Sequence, residues 1–128
     1  MRRKILIIDD EEDLCHFVKL NLEKTRKFEV ITSTKAAEGI ELARNEQPDL
    51  ILLDILMPDM EGSEVAESLL AEPSTKEIPV VFLTALVSKD QVTEKSGKIG
   101  KRDFIAKPVT PQELISRIEA ILEDRAIN

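Results

Sequence analysis

Four short apolar runs in this chain each end in a polar or charged side chain. Ile5 to Ile8 runs into Asp9 and Asp10, Leu50 to Leu53 into Asp54, Val80 to Leu83 into Thr84, and Phe104 to Ala106 into Lys107. The runs are apolar without alternation, as expected of parallel strands covered on both faces. Helical patterns lie between them. Short parallel strands need right-handed helical crossovers, so such a chain is restricted to a sheet with helices on both faces. The carboxyl ends of its strands then share one edge, where open α/β sheets bind their ligands.

The strand and helix patterns repeat five times. Strand one spans Lys4 to Ile8, and the first helix follows with Leu14, Phe17, Val18 and Leu22 on one face. Strand two, Phe28 to Thr32, is more mixed and suits a sheet edge. Thr34 is placed to cap the second helix, where Ala37, Ile40 and Ala43 or Leu42 face inward. Gln47-Pro48 stops that helix, because a residue before proline is pushed out of the α region. Leu50 to Leu53 is the most apolar strand and the expected centre. Pro58 and Gly62 punctuate the next loop. The third helix carries Val65, Ala66, Leu69 and Leu70 and ends before Pro73. Strand four is Val80 to Leu83. The fourth helical pattern, Ser88 to Lys98, has Val92 as its sole large apolar residue and is expected to be short or mobile. Strand five is Asp103 to Ala106. Thr110 caps the fifth helix, with Pro111 at its first position and a stripe of Leu114, Ile115, Ile118, Ile121 and Leu122.

At 128 residues the chain is expected to form one domain, residues 1–128. The net charge of −7 argues against wholesale nucleic-acid binding, and the 3% aromatic content, all Phe, leaves little for a base-stacking surface. Cys15 is the single cysteine, so no intrachain disulfide forms. Arg2-Arg3-Lys4 looks like a basic leader, but the apolar stretch behind it is shorter than the roughly 7–15 residues a signal needs. No run approaches the roughly 18 apolar residues of a membrane span. The expected location is the cytoplasm, with no membrane contact.

At the shared strand edge three carboxylates, a hydroxyl and an amine would converge. Asp9, Asp10 and Asp54 are hard oxygen ligands of the kind Mg²⁺ takes. Asp9 and Asp10 could instead cap the first helix, as Glu11, Glu12 and Asp13 are expected to do through its dipole. Asp54 follows the most apolar strand, where a carboxylate is partly desolvated; its plain reading is a solvated loop residue. Aspartate can also attack phosphorus to give an acyl phosphate. Lys107 is the candidate cation and Thr84 the hydroxyl for a phosphoryl oxygen, although each alone is an ordinary feature.

The joint pattern is more specific. Leu-Ile-Ile-Asp9-Asp10-Glu, Leu-Leu-Asp54-Ile-Leu-Met-Pro58-Asp-Met-Glu-Gly62, Phe-Leu-Thr84-Ala85 and Asp-Phe104-Ile-Ala-Lys107-Pro108, in that order, closely resemble the receiver domain of two-component response regulators, as in chemotaxis regulators. The resemblance runs from Lys4 to Leu122. It implies a flavodoxin-like, doubly wound (βα)5 three-layer sandwich with a five-stranded parallel sheet in the order 2-1-3-4-5. It implies that Asp54 accepts a phosphoryl group from a sensor histidine kinase or a histidine phosphotransfer protein. Asp10 and Asp54 would bind Mg²⁺ directly, Asp9 mainly through water, and the backbone carbonyl of Leu56 would complete the set. Lys107 would pair with Asp54 or the phosphoryl group, and the Lys107–Pro108 bond would be cis. Thr84 would move toward the phosphoryl group, and Phe104 would turn inward and remodel the face of helix four, strand five and helix five; its plain reading is a permanent core aromatic. That face would meet a downstream protein target or an output domain, none of which is visible in this chain, or a second copy in a homodimer.

Such a domain is not an enzyme beyond catalysing its own phosphorylation and dephosphorylation. Leu56 and Leu86 occupy positions that influence acyl-phosphate hydrolysis in the family; neither can orient a water, so slow hydrolysis is expected. Lys101 after Gly100 departs from the usual small residue there. The basic excess between Lys89 and Lys107 reads as a partner face or a solvated one, and His16 as a surface residue. Two other classes compete. A Mg²⁺-dependent phosphatase of the haloacid dehalogenase type would need an aspartate where Leu56 stands. A phosphorylation-independent pseudo-receiver scaffold would usually lack one of the acidic, Thr or Lys positions.

Overall fold

A computed structural model of the chain describes residues 2–85, 98–99 and 102–127. The described elements are β1 (Arg3–Ile8), α1 (Glu12–Lys24), β2 (Phe28–Ser33), α2 (Ala36–Glu46), β3 (Leu50–Leu53), α3 (Gly62–Leu70), β4 (Val80–Thr84), β5 (Lys98–Ile99), β6 (Arg102–Ala106) and α4 (Pro111–Ile127). Thus β6 and α4 are the fifth strand and fifth helix of the sequence reading. The fourth helical pattern and Leu86 lie outside the described residues, apart from Lys98. That residue stands in a two-residue strand antiparallel to β6 rather than at the end of a helix.

The sheet order is β2-β1-β3-β4-β6-β5, so the five long strands are parallel in the expected order, with β3 central and β2 at an edge. Successive side chains of a strand point to opposite faces, and here both faces are covered. Ile5, Ile7, Leu50, Leu52, Val81 and Leu83 pack with α1 and α4. Leu6, Ile8, Ile51, Leu53 and Phe82 pack with α2 and α3. This double burial is why the strand sequences show no polar alternation.

The helix ends show where local sequence decides and where it does not. Thr110 Oγ1 accepts from the Glu113 N–H at 3.1 Å, and the Glu113 carboxylate accepts from the Thr110 N–H at 3.2 Å. This reciprocal capping box starts α4. Helix α2 begins differently. Thr34 does not cap it; Lys35 is the N-cap residue and offers no side-chain cap. The Asp59 carboxylate, from the loop after β3, accepts from the Ala36 N–H at 3.0 Å and the Ala37 N–H at 3.4 Å. With that start the inward face is Ala36, Gly39, Ile40 and Ala43, and Ala37 is exposed. Gln47 ends α2 in the left-handed region at φ 47°, with its amide bonded back to the Ala43 and Arg44 carbonyls. In α3, Val65, Ala66 and Leu69 are buried, whereas Leu70 points out and is exposed.

Helix α2 crosses β1 closely at Gly39. A Cβ there would lie 2.6 Å from Ile8 Cδ1 and 2.7 Å from its Cγ1. We expect Gly39→Ala to destabilise the domain by about 1–2 kcal/mol despite the better helix propensity of alanine, because the core contact is overpacked. Urea unfolding checks this, and Ile8→Val in the same background should recover part of the loss.

Candidate functional site

β1 and β3 are paired with Ile8 opposite Leu53, so Asp9 and Asp54 are the next residue on each strand. Their backbones stay fixed past the pairing. The Asp9 N–H donates to the Ser33 carbonyl and the Asp54 N–H to the Ile8 carbonyl, each at 3.0 Å. Both carboxylates are buried, while Asp10 is exposed. Gly62 lets the following loop fold back on the end of β3. Its N–H donates to the Ile55 carbonyl at 2.7 Å, and a Cβ at this position would collide with the Asp54 carbonyl oxygen.

Lys107 arrives from β6. Its N–H donates to the Thr84 carbonyl at 2.9 Å, extending the β4–β6 ladder in which Thr84 faces Ala106. The Lys107–Pro108 peptide bond is cis. The ammonium lies 2.9 Å from Asp9 Oδ2, 3.1 Å from Glu11 Oε1 and 3.8 Å from Asp54 Oδ2. Its nearest partner is therefore Asp9, with Asp54 at the margin of ion-pair distance. Thr84 is buried at the end of β4. Phe104 is half-buried and stacks on Phe82 with ring centroids 5.2 Å apart. Leu56, in the loop after Asp54, is 58% exposed.

Burial pushes the Asp54 carboxyl above its ordinary value. The Asp9 charge adds to this, and Lys107 and the Ile55 N–H act against it. Burial alone would pull Lys107 down. The hydrogen bond to Asp9 and the charges of Asp9 and Asp54 outweigh it, and the ammonium is held above its usual range. Cys15, beneath the site, donates to the Asp9 carbonyl at 3.3 Å. Burial, with the Asp9 charge, pushes its thiol up to about 11, so it stays protonated and inert.

One carboxylate oxygen each from Asp9, Asp10 and Asp54 lies within 4.8 Å of the others. Opposite ligands of a Mg²⁺ octahedron are about 4.2 Å apart. The all-oxygen donor set and its spacing thus fit a hard divalent cation after a small contraction. An open groove of about 790 Å³ leads off from Asp10, lined by Asp10 to Asp13 with Thr34, Lys35, Pro58 and Asp59.

Two residues carry roles that the sequence reading did not give them. Glu11, assigned there to the helix dipole, hydrogen-bonds Lys107 while its N–H donates to Asp9 Oδ1 at 3.0 Å. Its place directly after the strand-end acids is the signal that could have found it. Asp59 had no local signal, since its partners lie 23 and 22 residues earlier.

The Asp54 carboxyl holds its proton more tightly in the folded chain than in the unfolded one. Its contribution to stability is therefore complete in acid, below the ordinary value of 3.8, and is lost as pH rises through the folded value. In metal-free buffer at neutral pH, Asp54→Asn should raise stability by about 1–2 kcal/mol, the usual scale for relieving a desolvated charge. The gain should shrink as pH falls toward 3.8. Lys107→Met should instead cost about 3 kcal/mol, because it leaves Asp9 buried without its cation. Urea midpoints across pH check both signs.

The family model for the response regulator receiver domain matches residues 5–119. Protein PilH of Pseudomonas aeruginosa is 36% identical over 121 residues, covering 93% of this chain and 97% of PilH. The alkaline phosphatase synthesis transcriptional regulatory protein PhoP of Bacillus subtilis is 36% identical over 124 residues, 95% of this chain. The chain spans about half of PhoP's length, 49%. Among solved structures, a CheY-like receiver domain protein from Methanospirillum hungatei superposes with a TM-score of 0.81 at 29% identity over 98% of both chains. The Vibrio cholerae chemotaxis protein CheY4 gives 0.80 at 25% identity over 94% of this chain and 99% of its own. With the family model covering nearly all of the sheet and its strand-end acids, this chain belongs to the response regulator receiver domain family.

Proposed function

We propose that residues 1–128 act as one phosphoacceptor domain, in which Asp54 takes a phosphoryl group from a phosphohistidine on a sensor histidine kinase or phosphotransfer protein. The observation that carries this reading is the buried Asp54 carboxylate at a strand end, beside two further carboxylates and within 3.8 Å of an ammonium. An Asp54 carboxylate oxygen attacks phosphorus as the P–N bond to the donor imidazole breaks. The bonding pair leaves with the imidazole nitrogen, giving an acyl phosphate on Asp54 and free histidine on the donor. Such transfer depends on positioning and charge neutralisation more than on covalent machinery.

Asp9, Asp10, Asp54 and the Leu56 carbonyl would hold Mg²⁺, which when bound supplies charge neutralisation at the phosphoryl oxygens. Lys107 exchanges its Asp9 and Glu11 partners for a phosphoryl oxygen. The Thr84 hydroxyl donates to another. Phe104, already against Phe82, turns further inward, and the face around β6 and α4 changes for a downstream partner or a second copy of the chain. The domain is a cytoplasmic signalling switch whose chemistry is confined to its own phosphorylation and hydrolysis.

Intact mass after incubation with acetyl phosphate and Mg²⁺ tests this. One added phosphoryl group is expected in the wild type, none in Asp54→Ala, and none after chelation. A folded, Mg²⁺-binding wild type that gains nothing from acetyl phosphate or from a phosphohistidine donor would leave only the scaffold reading.

The exposed Leu56 offers no group to orient an attacking water. Hydrolysis of the acyl phosphate should therefore be slow, and a Leu56→Asn, Leu86→Glu double variant should lose phosphate several-fold faster. An unchanged decay rate would count against this role of the two leucines.

A further inference from the structure

The loop from Ile55 to Glu61 joins the proposed phosphoacceptor to α3, and Ile55, Met57 and Met60 pack its apolar side against the core shared with α2 and α3. Leu56, Pro58, Asp59 and Glu61 are exposed. Gly62 closes the loop at its base, Met57 is buried beneath it, and Asp59 reaches outward to α2. That reach is specific. Asp59 Oδ2 accepts from both the Ala36 and Ala37 N–H groups, and Oδ1 lies 3.3 Å from the Ala36 nitrogen. The α2 start has no cap from its own N-cap side chain. An anionic carboxylate across the first amides of a helix also meets the positive end of its dipole. Its charge is thus committed to α2, and the oxygens clustered for a cation come from Asp9, Asp10 and Asp54.

We propose that Asp59 is a positioning residue for the phosphoacceptor cleft: by latching its loop to the amino end of α2, it holds the segment next to Asp54 in the form that receives a metal ion and a phosphoryl group. This rests on the phosphoacceptor reading of Asp54. Removing the latch loosens the outward-facing positions of the loop, Leu56, Pro58 and Asp59, without touching any of the three clustered carboxylates. The effect on the site is indirect, of the kind that outer partners of a metal site exert on affinity.

A local cap separates positioning from simple stabilisation of α2. Lys35 has the extended backbone of an N-cap, φ −127° and ψ 137°, so Lys35→Ser can supply the missing acceptor from within the helix's own start. Asp59→Ala is expected to lower both the unfolding midpoint and the calorimetric Mg²⁺ affinity, the latter by about tenfold. Lys35 also lines the groove beside Asp10, so the reference is Lys35→Ser alone: against it, the Asp59→Ala, Lys35→Ser double variant should keep its unfolding midpoint but show depressed Mg²⁺ affinity and a depressed rate of phosphorylation by acetyl phosphate. If the double variant recovers affinity and rate along with stability, Asp59 is only a helix cap and the positioning role is overturned. Unchanged affinity in Asp59→Ala overturns it as well. Calorimetry reads the latch without any phosphorylation. A wild type that binds Mg²⁺ but takes no phosphoryl group would therefore refute the acceptor role of Asp54 while the affinities still decide on Asp59.

Discussion

Asp9 and Asp54 stand side by side at the ends of adjacent buried strands, and the ladder on either side prevents them from moving apart. Two carboxylates held this way repel one another and are poorly solvated, so the arrangement needs a cation nearby. Lys107 supplies it from a residue 98 positions along the chain from Asp9. The ammonium reaches Asp9 only when β1, β3, β4 and β6 are all in register. Assembly of the sheet and assembly of the site are therefore the same event. Three acids against one ammonium leave the cleft electronegative.

The loops around this edge are shaped by close approach rather than by propensity. Gly39 brings α2 onto Ile8, the residue that precedes Asp9, and Gly62 brings the start of α3 against the Asp54 carbonyl. A side chain at either place would displace an element that carries a site residue. Asp59 adds a third tie, between the loop after Asp54 and the first amides of α2. The cleft thus rests on a rigid sheet floor and on a rim whose geometry depends on a few contacts between loops.

Much of this was readable in the sequence, for identifiable reasons. Parallel strands covered on both faces leave uninterrupted runs such as Ile5 to Ile8 and Leu50 to Leu53, and their order fixed which polar residues would share an edge. The Thr110 and Glu113 capping box was half legible, since Thr110 lies next to Pro111 and its partner is three residues on. The failures have separate causes. Thr34 looked like a cap for α2, and Ala37 looked buried, because the true acceptor, Asp59, belongs to another loop. Leu70 continued an apolar pattern but fell on the outer side of the last turn of α3. Lys98 read as the tail of a helix yet pairs opposite Asp103 in a short antiparallel strand.

The sequence by itself determined the strand order of chemistry: acids after the first and third strands, a hydroxyl after the fourth, an amine after the fifth. Apolar periodicity is a local property and survives in one dimension, so fold class and strand-end residues follow from it. Tertiary structure alone decided how those groups are shared. Lys107 sits on Asp9 and Glu11 rather than squarely on Asp54, the buried Asp54 carboxyl is raised, and α2 is capped from across the groove. Those outcomes depend on distances of a few ångströms and on the water excluded between elements, which no spacing along the chain encodes.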